Sequence, residues 1–436
     1  MIAESLRTDG DLDLANNYLQ NDGRLFGHDN LLMELHAARA LNGETRSIHA
    51  LGIAVFILPA YVLAQSAAAA VPEGQLRRFR MGRGLFAYSI VSLFLMAMTA
   101  LGLGLLAVGL SNVAGARLAA IATIAIGISP PVVSHSFLIF PEAFALFVTC
   151  CTVWFVTKDT SVRDERWFLA LSLAVGLLPW FHQKYLLYSL GLALVVLQRR
   201  YGLLSGFSVS CRATGLALFG VPQVALLLWL RHEWGSFGGA LTTGVLTAET
   251  IPLTIDSFSR GAVGLLFDRQ SGLAAFTPLF WMVPACVWLT WRRTWDVLVP
   301  VGCLYVPAAA FVIGWWAGFS PAARYLVPAV PLLAWPVVLA LHYRPIRIVA
   351  TALLACQVVF NALVWQNPRW LWNATDQNRL LEALWFPGRL YSMALAPIRV
   401  SGLTVDAIVP ISIAIGLTCV LVLLVRADAR RSMSAH

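Results

Sequence analysis

Long apolar runs recur along the whole chain, and they constrain its fold more than any other feature of the sequence. A helix that crosses a hydrocarbon core of roughly 30 Å needs about 20 mostly apolar residues. The runs therefore predict an all-α, polytopic transmembrane helical bundle with about 11 spanning helices. They lie at 49–70, 86–110, 115–134, 138–157, 167–181, 183–198, 212–231, 271–291, 296–315, 325–341, 347–364 and 406–426.

Composition excludes several other classes of protein. The chain is 59% hydrophobic and 12% charged, whereas an average soluble protein is about 45–50% apolar and about 25% charged. That excess of apolar side chains cannot be buried inside one water-soluble globule, so a soluble enzyme and a disordered chain are excluded. The seven cysteines lie in or beside apolar runs without a metal-type CxxC pair, and we interpret them as small buried hydrophobes.

The charge distribution suggests anchoring in a membrane rather than binding to nucleic acid. The net charge is +9, but the arginines occur in short clusters between apolar runs, as the positive-inside rule expects. We predict two parts: an extracytoplasmic head at 1–85, and a transmembrane domain at 86–436 with outer loops at 232–262 and 365–405. Within the head, Pro59 and Gln65 favour an interfacial or re-entrant segment at 49–70 over a spanning one.

Orientation follows from the four densest basic clusters, which we interpret as loops: Arg199–Arg200, Arg292–Arg293, 342–347 and 426–431. Two apolar runs separate each cluster from the next, so all four can lie on the cytoplasmic face. The same count places Arg77–Arg83 outside, against the charge rule. We therefore expect a multi-pass inner (plasma) membrane protein whose outer loops face away from the cytoplasm.

Polar side chains near the ends of apolar runs are the candidates for function, because charges at membrane depth are unfavourable by about 2.5–3.5 kcal/mol on insertion scales. By the orientation count, four such stretches (129–144, 178–185, 264–273 and 315–325) share the outer face. A single acid among several cations suits an anionic ligand, such as a phosphate, and one proton-transfer or charge-stabilising role. The candidates are His135, Glu142, His182, Lys184, Asp268, Arg269, Trp316, Arg324 and Tyr325.

Simpler roles for these residues stay open. Glu142 follows Pro141 and can serve only to stabilise a helix N-terminus. Lys184 can extend its ammonium group to the membrane interface, and Asp268 with Arg269 can form a local ion pair. Arg324 at a predicted helix start is unfavourably placed for the helix dipole, which indicates a ligand or a carboxylate partner. Trp316 can belong to an interfacial aromatic belt or stack on a sugar ring.

Several motifs resemble those of the C superfamily of polytopic glycosyltransferases. The closest similarity is to the branch of lipopolysaccharide-core galacturonosyltransferases, aminoarabinose transferases and protein O-mannosyltransferases. The stretch DGDLDLANNY at 9–18 resembles part of the first outer loop, and Pro141-Glu142 resembles the acidic motif of the second. LPWFHQKY at 178–185 and FSPAARYLVP at 319–328 resemble later loop motifs.

The resemblance implies a site at the outer membrane face, a polyprenyl-phosphate sugar as donor, and a glycan, lipid or protein as acceptor. Glu142 would be the acidic residue of the second outer loop, and it is the predicted catalytic residue. Lys184 and Arg324 would contact the phosphate or the donor sugar, and Asp268 with Arg269 would shape the cavity. Membrane-lying helices in the first outer loop would fit 49–70. No cofactor is expected, although a divalent metal is possible.

One departure from the family leaves alternatives open. Its members begin with a transmembrane helix and an acidic motif, whereas this sequence begins at the segment that follows them. We therefore expect that Met1 is an internal start, that the gene is truncated, or that the chain is an inactive remnant. A transporter or flippase for lipid-linked sugars is a further alternative. It predicts polar groups along a path through the membrane rather than at one face.

Overall fold

The described part of the chain is mostly helical, with one small hairpin, and this confirms the predicted all-α class. The computed structural model describes residues 1–23, 33, 36–158, 165–239, 254–310, 315, 320–372 and 378–434. In the N-terminal part, strands β1 and β2 pair antiparallel, with Ala38 opposite Arg46. Its elements are α1 Ile2–Thr8, α2 Ala15–Leu19, β1 Ala37–Arg39, β2 Thr45–Ser47, α3 Gly52–Ala70 and α4 Glu73–Arg78.

The remaining helices follow the predicted apolar runs, since most of those runs lack consecutive helix breakers. Short 3₁₀ turns at Pro278–Met282, Arg324–Ala329, Pro368–Leu371 and Val405–Ala407 connect several of them. The α-helices are α5 Arg83–Ala114, α6 Ala116–Gly127, α7 Pro130–Phe137, α8 Pro141–Thr157, α9 Glu165–Phe181, α10 Tyr185–Ser205, α11 Val209–Trp234, α12 Ile255–Phe267, α13 Leu273–Phe276, α14 Val283–Ala310, α15 Val330–Ala340, α16 Arg344–Gln366, α17 Arg379–Ala383, α18 Trp385–Met393, α19 Ile398–Ser401 and α20 Ile408–Ser434.

Several helices are long and apolar enough to cross a membrane, as a multi-pass protein requires. Within the described residues there are five: α3, α5, α11, α16 and most of α20. A sixth span is possible if α6 and α7, which meet at a bend of 67°, form one broken crossing. Residues 52–70 form a continuous helix through Pro59. The interfacial placement of 49–70 stays a prediction, and so does the total of about 11 spans.

The predicted loops at Arg199–Arg200 and at Arg292–Arg293 are both wrong, since the first pair lies within α10. At the second pair, helical backbone continues from Val283 through both arginines to Ala310, because arginine is a good helix former and a basic doublet does not by itself end a helix. Both side chains of this second pair are exposed. The orientation count assumed that a loop separates 271–291 from 296–315. The orientation must therefore be supported instead by where the basic clusters lie in the folded bundle.

Small residues allow the helices of the bundle to pack closely, as is common between membrane helices. A Cβ atom on Gly109 of α5 would lie 2.8 Å from the Trp154 Cα of α8. One on Gly176 of α9 would lie 2.6 Å from the Leu218 carbonyl oxygen of α11. The outward faces instead carry large apolar side chains, such as Leu216 at 71% exposure. This arrangement suits a bundle surrounded by lipid.

The basic clusters gather at one end of the bundle. Arg199, near the end of α10, donates to the Asp296 carboxylate of α14 at 2.7 Å and to the Arg293 carbonyl. One cavity is lined by Arg292, Arg293, His342 and Arg426, which come from the other three clusters. Because α8 and α10 contact one another and both reach this end at their C-termini, their N-termini lie together at the opposite end.

Candidate functional site

Glu142 lies at the N-terminus of α8, immediately after Pro141. Proline favours the first helical turn, and a carboxylate there interacts well with the helix dipole. The side chain is completely buried. A buried charge is strongly unfavourable without partners, so the structure must supply cations for this group.

The first cation is Lys184, which lies in the short connection between α9 and α10. Its Nζ donates to Glu142 Oε1 at 2.6 Å and lies 4.1 Å from the ring centroid of Tyr325 and 5.0 Å from that of Tyr185. The lysine side chain is only 2% exposed. Burial lowers the pKa of Lys184 to about 8, because desolvation of the ammonium group outweighs the attraction of Glu142.

The second cation is Arg324, at the start of the 3₁₀ turn Arg324–Ala329. Its Nε donates to the same oxygen, Glu142 Oε1, at 2.9 Å, and its guanidinium carbon lies 4.1 Å from the Phe140 ring centroid. Ala323 adopts a left-handed conformation with φ of 57° and donates its N–H to the Ser271 carbonyl at 2.9 Å. The Arg324 side chain is 17% exposed, so it forms the accessible edge of the cluster.

Together, Glu142, Lys184 and Arg324 form a buried ion triad with one negative and two positive charges. Both cations reach Oε1, whereas Glu142 Oε2 is buried without a hydrogen-bond partner among the described residues. The N-termini of α8 and α10 meet here without side-chain caps, and helix N-termini favour anions. The surplus positive charge and the two helix ends make this a site for an anionic group.

Three tyrosines that the sequence analysis missed pack beneath the triad. The ring centroids of Tyr188 and Tyr305 are 4.6 Å apart, and Tyr185 lies 5.9 Å from Tyr188. Tyr305 donates its hydroxyl to the Tyr325 carbonyl at 2.6 Å and so positions the residue after Arg324. The spacing of Tyr185 and Tyr188 directly after Lys184 is a detectable sequence signal, because residues three apart share a helix face. No such signal marks Tyr305.

The predicted histidines lie in the same region as the triad. The Lys184 backbone N–H donates to His182 Nδ1 at 3.2 Å. Burial, together with nearby Lys184, lowers the pKa of His182 well below its usual value, so this ring is neutral. His135 is fully buried, and its Nδ1 lies 2.8 Å from the Pro131 carbonyl. That contact requires the proton on Nδ1, and it leaves Nε2 as a buried acceptor without a partner among the described residues.

Asp268 and Arg269 do not form the local ion pair that the sequence allowed. The buried Asp268 carboxylate instead accepts the backbone N–H groups of Gln270, Ser271 and Arg399 at 3.0, 2.8 and 2.9 Å. It thereby joins the 268–272 turn to the 396–399 segment. The Nε of Arg269 is buried without a hydrogen-bond partner among the described residues. Asp268 therefore has a structural role. Its turn is connected to the triad indirectly, because the Ser271 carbonyl accepts the N–H of Ala323, the residue before Arg324.

Replacing Asp268 by alanine is expected to destabilise the protein by roughly 3 kcal/mol or more, since three backbone donors lose a charged acceptor. The measurement is thermal unfolding of the purified protein in detergent. Asp256→Ala is the matched control, in the first turn of α12, the helix that Asp268 follows. Its exposed ion pair with Arg260 is worth at most about 1 kcal/mol. Equal midpoints for the two variants would contradict the structural role of Asp268.

The role predicted for Trp316 stays a prediction. Trp316 lies outside the described residues. Its neighbour Trp315 is buried, and a Cβ atom on Gly264 would lie 2.3 Å from the Trp315 ring, so Trp315 packs against α12. Among the described residues, no group of three or more histidine, cysteine or acidic side chains could hold a metal ion.

The fold is similar to that of a solved membrane-protein structure. A crystal structure of ArnT from Cupriavidus metallidurans in the apo state is similar over 84% of this chain and 66% of that chain, with a TM-score of 0.40 and 15% sequence identity. The present chain thus spans just under two thirds of that protein's length. No family model matches the sequence, and no curated protein matches it significantly.

Proposed function

We propose that the protein is an integral membrane glycosyltransferase that moves a sugar from a polyprenyl-phosphate donor to an extracytoplasmic glycan, lipid or protein. The observation that carries this proposal is the buried ion triad of Glu142, Lys184 and Arg324, with its surplus positive charge. The resemblance of the surrounding motifs to those of the C superfamily supplies the chemical class. The triad alone supports binding of an anionic group such as a phosphate.

In the proposed reaction, Lys184 and Arg324 hold the donor phosphate. The acceptor hydroxyl oxygen attacks the anomeric carbon, and the bond between that carbon and the phosphate oxygen breaks. The departing polyprenyl phosphate keeps the electron pair and gains negative charge, which the two cations stabilise. Positioned cations in a water-excluded site lower such a barrier effectively, because they need no reorganisation during the reaction.

Glu142 is proposed to take the proton of the acceptor hydroxyl through Oε2. While Lys184 and Arg324 both contact Oε1, the carboxylate is stabilised in its charged form and is a weak base. A donor phosphate that binds the same two cations would weaken their contacts with Glu142. Donor binding would thus make the carboxylate more basic at the moment when an acceptor is needed.

The arrangement of charges also supports the proposed placement in the membrane. The triad lies at the N-terminal ends of α8 and α10, whereas Lys158 and Arg199 lie at their C-terminal ends. A helix of 17 residues such as α8 is about 25 Å long at 1.5 Å per residue. With the basic end in the cytoplasm, the triad would face the outer side of the inner membrane.

The first test is binding of polyprenyl phosphate to the full chain in proteoliposomes, compared with the corresponding uncharged polyprenol. We expect the phosphate to bind at least tenfold more tightly, and Lys184→Ala to remove that preference. Lys158→Ala, at the other lysine of the chain, should leave the preference intact. Equal affinity for phosphate and alcohol would rule out an anion site.

Turnover and flipping assays separate the remaining functions. Sugar transfer to an acceptor supports the transferase, whereas phosphate binding without transfer would support an inactive remnant. Movement of the lipid-linked sugar across liposomes in the absence of acceptor would favour the flippase. The described polar residues of the triad cluster at one end of the helices, and this favours the transferase.

Binding of polyprenyl phosphate should weaken as pH rises through about 8, the lowered pKa of Lys184. Above that pH the free protein loses the ammonium charge, and the anion loses one of its two cations. We expect Kd to rise with pH as the ammonium group deprotonates, by up to tenfold per pH unit, because one proton must be regained on binding. The phosphate itself changes charge only slightly in this range, because its second pKa is about 6.

The neighbouring groups leave Lys184 as the group that titrates in this window. Arg324 stays charged and His182 stays neutral, and the phenol groups of Tyr185 and Tyr325 carry no charge at this pH. Lys184→Ala should therefore bind weakly with no rise above pH 8. A rise that persists in that variant would assign the titration to another group.

A further inference from the structure

A large cavity opens at the basic end of the bundle and extends to Phe267 and Leu273, which flank the 268–272 turn near the candidate site. Its volume is about 1360 Å³, which exceeds the roughly 300–1,000 Å³ that is typical of pockets for drug-sized ligands. Segments from α5, α12, α14, α15 and α20 line it, and none of the triad residues is among them.

The lining of this cavity is divided into two chemically different parts. Basic and aromatic side chains form its mouth, including Arg292, Arg293 and Arg426 with Trp288 and Trp291. Deeper in, the walls are apolar and include Phe267, Leu273, Phe280, Val287 and Leu333. A ligand that matches both parts must join an anionic group to long apolar chains.

The three arginines at the mouth are available for such an anionic group. All three are exposed, and none forms an ion pair with a described residue, whereas the nearby Arg199 is paired with Asp296 at 2.7 Å. Trp288 and Trp291 are 66% and 47% exposed. Tryptophans at this degree of exposure beside arginines are typical of the level of lipid headgroups.

We propose that this cavity binds an anionic phospholipid from the leaflet on the basic side of the membrane. Its phosphate and headgroup contact Arg292, Arg293 and Arg426, and its acyl chains occupy the space beside Phe280, Val287 and Leu333. Basic pockets between membrane helices on the cytoplasmic side are suited to anionic headgroups. The lipid would hold α14 against α15 and α20 at the end remote from the triad.

The test is lipid binding to the purified full chain, measured by native mass spectrometry and by thermal unfolding after addition of phosphatidylglycerol or phosphatidylcholine. We expect phosphatidylglycerol to bind with a defined stoichiometry and to raise Tm, and phosphatidylcholine to do neither. Replacing all three arginines by alanine should weaken binding on the order of 100-fold, since each basic residue near an anionic membrane contributes about fivefold. Arg117→Ala, at an exposed arginine outside this lining, should leave binding unchanged.

A second variant tests the apolar part independently of charge. Val287→Trp fills the space beside the acyl chains and should abolish lipid binding while the arginines remain. Equal binding of both phospholipids, competition by inorganic phosphate alone, or a preference for polyprenyl phosphate over phosphatidylglycerol would each overturn the proposal. Repeating the measurement with Lys184→Ala separates this site from the triad, because phosphatidylglycerol binding should persist there even if the proposed transferase activity fails.

Discussion

Replacing Glu142 by glutamine is expected to destabilise the folded protein by about 3–5 kcal/mol, the range for breaking a buried ion pair by removing one partner. The substitution leaves Lys184 and Arg324 as two buried cations that face a neutral amide. At present both donate to Glu142 Oε1, at 2.6 and 2.9 Å. The effect should appear as a lower Tm in detergent and as a smaller fraction of correctly inserted protein.

A double variant distinguishes this charge imbalance from a simple loss of packing. Adding Lys184→Met to Glu142→Gln removes one of the two unpaired cations and should recover a substantial part of the lost stability, since residues in contact are not additive. Glu73→Gln, at an exposed acid on α4, should have almost no effect. A double variant that is less stable than Glu142→Gln alone would contradict the view that the carboxylate neutralises both cations.

Lys184→Ala and Arg324→Ala are each expected to lower sugar transfer by about 10²–10³-fold, as removal of one positioned donor at a developing charge typically does. The physical reason is loss of a cation that stabilises the departing lipid phosphate. The measurement is transfer of labelled sugar from a polyprenyl-phosphate donor in proteoliposomes, normalised to inserted protein. Both variants should remain inserted, because each leaves Glu142 with one cation.

Two matched controls test whether the position of a cation, rather than its charge alone, determines the rate of sugar transfer. Lys158→Ala removes the other lysine, which lies at the far end of α8. Arg389→Ala removes an exposed arginine in the 365–405 connection. Both should retain nearly full transfer. Normal turnover in Lys184→Ala and Arg324→Ala would remove their proposed roles, even if both variants bound lipid.

The sequence identified the site region more reliably than it identified each residue's role. Costly charges at the ends of apolar runs indicated Glu142, Lys184 and Arg324, and the structure brings all three into direct contact. Asp268 met the same criterion, yet it accepts only backbone N–H groups. A buried carboxylate in a membrane protein can be stabilised by cations or by backbone donors, and the sequence does not distinguish these environments.

The loop predicted at Arg292–Arg293 shows a related limit of the positive-inside argument. Clustered arginines indicate which end of a helix lies near the membrane surface. They do not determine whether the backbone leaves the helix there, since arginine favours helix. Residues of the four basic clusters do lie near one another in the bundle, whereas their cytoplasmic placement stays a prediction.

The sequence by itself determined that this chain is a helical membrane protein with charged groups near the ends of its apolar segments, because hydrophobic run length and charge placement are local properties. Only the tertiary structure decided which charges meet. Lys184 and Arg324 are 42 and 182 positions from Glu142, and their convergence on one oxygen depends on how α8 and α10 pack beside the Arg324–Ala329 turn. Contacts across such separations are set by the packing of whole helices, which no local pattern encodes.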